Sequence, residues 1–197
     1  MMIKKEVVLM PVLFFFLYPL QSFGGSPAYV GNKGCSCHKV EMTDWELSAH
    51  GRAFDTLKKG RKEREKIRAK LDPEKDYTKD RKCLKCHTTG YRKNGGFVDL
   101  KSTPLMAGVG CESCHGPGSE YRTLHEDNPA RIDRNKEKAY GAVYGSEDAA
   151  VCTYCHNENS GHFDRHSGKK YEFDWKKALK NKRSYHRKKV FNKPNFF

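Results

Sequence analysis

Apolar residues are bunched at one end of this chain and sparse elsewhere. Val7 to Leu20 is an apolar stretch rich in Phe and Leu, interrupted by Pro11 and Pro19 and preceded by Lys4 and Lys5. The small residues Gly24, Gly25 and Ser26 follow it. A charged start, a short apolar run and a small-residue region together predict a signal peptide over residues 1–25, removed on export. The run is short and proline-broken for a spanning helix. No cysteine sits in the cleavage region, which argues against a lipoprotein; an uncleaved anchor is the alternative reading. No later segment is apolar enough to span a membrane.

Beyond residue 25 the periodicity is helical where it is visible. Met42, Trp45, Ala49, Ala53 and Leu57 recur at three- and four-residue steps, which predicts one amphipathic helix over Val40–Leu57. His50 lies beside Ala49 and four residues before Phe54, so it borders the apolar face. Lys58 to Lys70 is dense in Lys, Arg and Glu and reads as a solvated helix that Pro73 stops. Asn94-Gly95-Gly96 is a turn signal, and Gly96–Leu100 reads as a short strand. Asn135 to Asp148 is a polar linker. Phe173 to Lys189 reads as a terminal helix carrying His186, and Asn192–Phe197 as a frayed end. The expected class is mainly α with long loops.

Composition sharpens this picture. The 197 residues are 37% hydrophobic and 31% charged, with a formal net charge of +14. Residues 26–197, about 170 in number, suit a single domain, yet their aliphatic content would make a thin core. A basic chain suits nucleic acid, an anionic membrane or an acidic protein. Export argues against nucleic acid, which leaves an acidic protein partner as the better fit.

The cysteines explain the thin core. All eight fall in four pairs, each followed at once by histidine: Cys35-Ser36-Cys37-His38, Cys83-Leu84-Lys85-Cys86-His87, Cys111-Glu112-Ser113-Cys114-His115 and Cys152-Thr153-Tyr154-Cys155-His156. Cys-x-x-Cys-His is the covalent attachment run of a c-type haem. The two thiols add across the haem vinyl groups, and the histidine takes the proximal side of the iron. Zinc knuckles and thioredoxin-type pairs also use paired cysteines, but neither needs histidine directly after the second. Four haems would supply the missing apolar volume, so the expected core is built around four covalently bound haems, and the chain alone should fold poorly. Their propionates remove about eight charges and their ferric irons restore about four, so the loaded protein stays basic. Glycines at Gly108, Gly110, Gly116 and Gly118 bracket the third motif and would let backbone approach a haem face.

Four histidines are thereby assigned as proximal ligands: His38, His87, His115 and His156. Five remain: His50, His125, His162, His166 and His186. A six-coordinate electron-transfer haem needs a second His or a Met. Met42 sits on the apolar helix face and reads as core, and Met106 is a weak candidate, so histidine supplies most distal positions.

Several blocks carry a resemblance. Lys70-Leu-Asp-Pro-Glu-Lys-Asp-Tyr-Thr-Lys-Asp80 leads into the second motif, Gly108-Val-Gly-Cys-Glu-Ser-Cys-His-Gly-Pro-Gly118 surrounds the third, and Trp45 stands five residues before His50. Together these closely resemble the cytochrome c-554 family, tetrahaem cytochromes that accept electrons from hydroxylamine oxidoreductase in ammonia-oxidising bacteria. The likeness runs from about Gly31 to Ser119, and again from the fourth motif through Lys170-Tyr171 to His186. It implies crossed ligation: His50 opposite His156, His125 opposite His38, and His186 opposite His115, with the His87 iron open on its distal side. Two departures stand out. Cys35-Ser36-Cys37-His38 is one residue short, so its haem is strained, singly linked or attached by specialised machinery. The segment between His156 and Lys170 is shortened and contains His162 and His166, either of which is a candidate sixth ligand or proton donor at the second haem.

The expected function is a periplasmic carrier of electrons between redox proteins, with an acidic, hydroxylamine oxidoreductase-like donor as one possible partner. The rivals are a reductase of nitric oxide or a related small nitrogen species at a five-coordinate haem, and a zinc-binding or docking subunit.

Overall fold

The structure, a computed structural model, describes residues 25–127, 133–158, 160 and 173–180. Among these lie eight short α-helices: α1 (Lys39–Glu46), α2 (Glu63–Arg68), α3 (Arg81–His87), α4 (Glu112–His115), α5 (Tyr121–Asp127), α6 (Arg134–Ala139), α7 (Ala150–Thr153) and α8 (Trp175–Lys180). Three 3-10 turns, Asn32–Cys35, Phe54–Leu57 and Pro104–Met106, add to them. The described residues contain no strand, only an antiparallel bridge between Thr88 and Ala107. The architecture is therefore mainly α with long loops. No helix among the described residues is long and apolar enough to cross a membrane. Residues 1–24, most of the segment expected to be a signal peptide, and the end of the chain after Lys180 lie outside the described residues.

The helix expected over Val40–Leu57 is broken in two. α1 stops at Glu46, and the helical turn resumes only at Phe54. Ser48 is the reason. Its amide and its hydroxyl both donate to the Trp45 carbonyl, at 2.9 and 2.6 Å, and its hydroxyl accepts the Gly51 amide at 3.0 Å. A serine that bonds its local backbone in this way competes with helix continuation. The helix expected over Lys58–Lys70 shortens to α2.

Residues 70–80 are organised by aspartates. Asp72 accepts from Glu74 N, Asp76 from Thr78 N, and Asp80 from Lys82 N at 2.8 Å, which caps α3. The strand expected over Gly96–Leu100 does not form. Phe97 N donates to Thr89 O, but Val98 N turns away to the Thr103 hydroxyl at 2.8 Å, so no second ladder bond follows. The linker expected over Asn135–Asp148 opens instead as α6, capped by the Asp133 carboxylate on Asn135 N and Lys136 N.

The protein core is small: Phe54, Leu57, Tyr77, Leu84, Phe97 and Met106. Met106 is only 6% exposed and packs within this cluster. This cluster seats α3 against the Phe54–Leu57 turn. A buried Glu112 does comparable work with polar groups. Its carboxylate accepts from Val30 N, Gly31 N and Gly118 N at 2.7–3.1 Å, tying the N-terminal arm to the third motif and the loop after it.

Candidate functional site

Cys-x-x-Cys-His gains its meaning from helical geometry. Residues i, i+3 and i+4 share one face of a helix. α3 carries Cys83, Cys86 and His87 in that register, capped at its start by Asp80. α4 supplies Cys114 and His115, with Cys111 at its N-terminal boundary. α7 begins the fourth motif at Cys152, and the turn continues through bonds from Cys155 N and His156 N to Cys152 O at 3.2 and 2.9 Å. The first motif cannot follow. With one residue fewer, Cys35 and Cys37 stand at i and i+2 and do not face each other. Cys35 ends a 3-10 turn half-buried, whereas Cys37 is exposed, unlike the other seven cysteines. None of the eight is in a disulfide.

The four motifs are drawn into a row. Cys35 of the first and Cys111 of the third share a hydrogen bond, which raises the Cys35 thiol and lowers the Cys111 thiol. α4 of the third packs against α7 of the fourth, and the Cys152 charge bears on Cys114. Cys155 of the fourth is hydrogen-bonded to Cys86 of the second, holding the Cys86 thiol down to about 7. The order in space is therefore first, third, fourth, second. Burial, with the Cys152 charge, pushes Cys114 up to about 11, and burial with the Asp80 charge does the same for Cys83. These are properties of the unmodified thiols, which a thioether link to a haem vinyl removes.

The histidines carry further geometry. His87 Nδ1 lies 2.7 Å from the Ala53 carbonyl and 3.1 Å from the Thr56 hydroxyl. A carbonyl only accepts, so Nδ1 holds the proton and the neutral ring has its lone pair at Nε2. An imidazole whose other nitrogen donates to a carbonyl is the usual form of an oriented metal ligand. His50 and His156 face each other edge-on, ring centroids 6.1 Å apart and planes at 76°. Imidazoles on opposite sides of one metal have centroids about 6–6.5 Å apart, given metal–nitrogen bonds of about 2.0 Å. The spacing fits an iron shared by this pair. Phe173 stacks on His156 at 4.6 Å.

Val109 places His50. Its amide donates to the His50 carbonyl at 3.0 Å, and its own carbonyl accepts from Trp45 Nε1 at 2.7 Å. Val109 thus holds both ends of the segment where α1 stops. The flanking Gly108 sits against the Gly51 carbonyl at φ +91°, and Gly116 against the Gly141 carbonyl at φ +80°. The close approach these glycines permit is to another stretch of backbone. On the third motif, Val143 N also donates to His115 O at 2.8 Å.

Of the other expected distal ligands, His125 lies on α5, with its side chain outside the described set. His162, His166 and His186 lie outside the described residues. Sequence reading missed Glu112, Ala53, Thr56 and Thr89. Thr89 is buried just beyond His87; its hydroxyl donates to Gly108 O at 2.9 Å and accepts from Gly110 N at 2.8 Å, joining the second motif to the third. Glu112 had a visible signal, an acid inside a haem motif, but two of its partners, Val30 and Gly31, lie some 80 residues upstream.

Known proteins resemble this chain in sequence and in fold. The sequence model of the family described as cytochrome c554 and c-prime matches residues 34–116. Cytochrome c-554 of Nitrosomonas europaea is 40% identical over 119 residues, 60% of this chain. That match spans 51% of the relative, about half its length. The solved structure of the reduced state of cytochrome c554 from the same organism superposes with a TM-score of 0.70 at 32% identity, over 82% of this chain and 86% of the solved one. With its fold, its four cysteine–histidine motifs and its sequence all in agreement, the chain belongs to the cytochrome c-554 family of tetrahaem c-type cytochromes.

Proposed function

We propose that this protein is an exported, periplasmic electron carrier that passes electrons between redox proteins along four haems. The observation that carries the reading is the row of motifs, in which each motif abuts the next in the order first, third, fourth, second. Bound haem iron supplies reversible one-electron chemistry between ferric and ferrous states. The chain's own residues do the rest. Cys83, Cys86, Cys111, Cys114, Cys152 and Cys155 anchor three haems through thioethers, and Cys35 and Cys37 anchor the first. His38, His87, His115 and His156 hold the irons from the proximal side. Ala53 O and Thr56 Oγ1 fix the His87 tautomer.

His50 would hold the same iron as His156, a pairing supported by their 6.1 Å separation. His125 opposite His38, His186 opposite His115 and an open distal side at His87 rest on the family resemblance. Residues 1–25 act as the export signal, and residues 26–197 form the single haem-bearing domain. The donor is a redox protein with an acidic surface, of which a hydroxylamine oxidoreductase-like enzyme is one example.

Spectroelectrochemical titration of the loaded protein tests the reading. Four electrons per molecule should enter and leave reversibly, with one high-spin and three low-spin ferric signals in the oxidised paramagnetic resonance spectrum. Fewer than four reversible electrons would overturn the carrier assignment. Four low-spin signals would overturn the open site at His87.

A further inference from the structure

We propose that the surface formed by Lys85, Lys93 and Tyr154 is the docking face for an acidic redox protein, at the second-motif end of the row. The proposal rests on the electron-carrier reading and says where on the chain that partner binds.

The two ends of the row differ in charge. α3 carries Cys83, Cys86 and His87, and it also carries Arg81, Lys82 and Lys85, all exposed, with Leu84 as its one buried residue. The turn that follows adds exposed Arg92 and Lys93. α4 and α7 contain no lysine or arginine. At the opposite end, Lys33 and Lys39 around the first motif are matched by Glu41 and Glu46 on α1.

The fold then concentrates the cations of the second-motif end. Lys85 Nζ, from α3, stands 4.8 Å from the centroid of the Tyr154 ring. Lys93 Nζ, from the turn, stands 5.9 Å from the same centroid. Cation–π attraction offsets part of the repulsion between the two ammonium groups. Among the described residues, neither lysine forms a salt bridge. In the segment leading into α3, Asp76 is engaged by Thr78 N and Asp80 by Lys82 N.

An aromatic ring flanked by cations that form no salt bridge among the described residues suits a carboxylate-rich protein surface. Aromatic residues are enriched at interface centres, while charges at the rim steer the encounter. The position also suits electron transfer. Lys85 belongs to the second motif and Tyr154 to the fourth, and they meet at 4.8 Å, so a partner seated here lies against the junction of two haem motifs. The transfer would be of one electron, from the reduced partner to a ferric haem held by these motifs, with no bond formed or broken and no proton moved.

Stopped-flow reduction of the holoprotein by a reduced plant-type ferredoxin, chosen as an acidic one-electron donor, provides the test. At low ionic strength, Lys85→Ala/Lys93→Ala should slow the second-order rate at least fivefold and flatten its salt dependence. Lys85→Arg/Lys93→Arg should keep the rate within twofold, as should Lys33→Ala/Lys39→Ala, which removes the same charge at the other end. Equal slowing by both alanine pairs, or slowing by the Lys33/Lys39 pair alone, overturns the proposal. Haem content and reduction by dithionite are measured on every variant. A loss there is a failure of the carrier reading, whereas a change confined to ferredoxin bears on the docking face alone.

Discussion

Glu112 is a carboxylate taken out of water with backbone amides as its partners. Val30, Gly31 and Gly118 each donate to it, and it is 2% exposed. Charge-assisted bonds of this kind are the stronger class of hydrogen bond. Glu112→Ala would leave three amides without their acceptor, each worth about 1–3 kcal/mol, so the holoprotein should lose about 3–5 kcal/mol of stability. The midpoint of guanidinium denaturation measures this, and a shift no larger than that of an exposed Glu63→Ala control would contradict the clamp. His50 makes a second prediction at this scale. His50→Ala should turn one low-spin haem high-spin and leave the others unchanged, read by paramagnetic resonance. An unchanged spectrum would remove His50 from the iron opposite His156.

At the scale of elements, short helices are held by bonds that reach far along the chain. Thr89 is the clearest case, because one hydroxyl serves both Gly108 O and Gly110 N. Thr89→Val keeps the shape and leaves a buried donor and a buried acceptor unmatched, at a cost of about 1–3 kcal/mol. Thermal unfolding checks this, with Thr89→Ser expected to retain most of the stability. The same scale shows what was legible in the sequence. Each haem motif is complete within four or five residues, so its chemistry could be read directly. The break between α1 and Phe54 could not, because Met42, Trp45, Ala49, Ala53 and Leu57 keep helical spacing straight through it. The break depends on the Ser48 hydroxyl turning back to Trp45 and on Val109, some 60 residues later, gripping the His50 carbonyl. The expected strand at Gly96 failed for a related reason. A strand needs a partner, and after Phe97 the next amide finds the Thr103 hydroxyl instead. The clamp of Glu112 was equally hidden, since its acceptor role exists only once the N-terminal arm is folded back.

The whole molecule joins a small apolar cluster to a row of attachment motifs. Phe54, Leu57, Tyr77, Leu84, Phe97 and Met106 bury the protein's own apolar surface around α3. α1, by contrast, buries none of its residues against protein. A chain with so modest a core depends on its prosthetic groups for stability, by the same linkage that couples metal binding to folding. The order of the motifs was not legible from their order in sequence, because contacts between the first and third, and between the fourth and second, cross the chain. All four motifs are expected to receive a covalent haem, the shortened Cys35-Ser36-Cys37-His38 included. Intact mass after acid–acetone extraction, on protein matured by a cytochrome c assembly system, tests it most directly. The account predicts the mass of the processed chain plus four haems; a mass carrying three haems, with Cys35 and Cys37 open to alkylation, would contradict it.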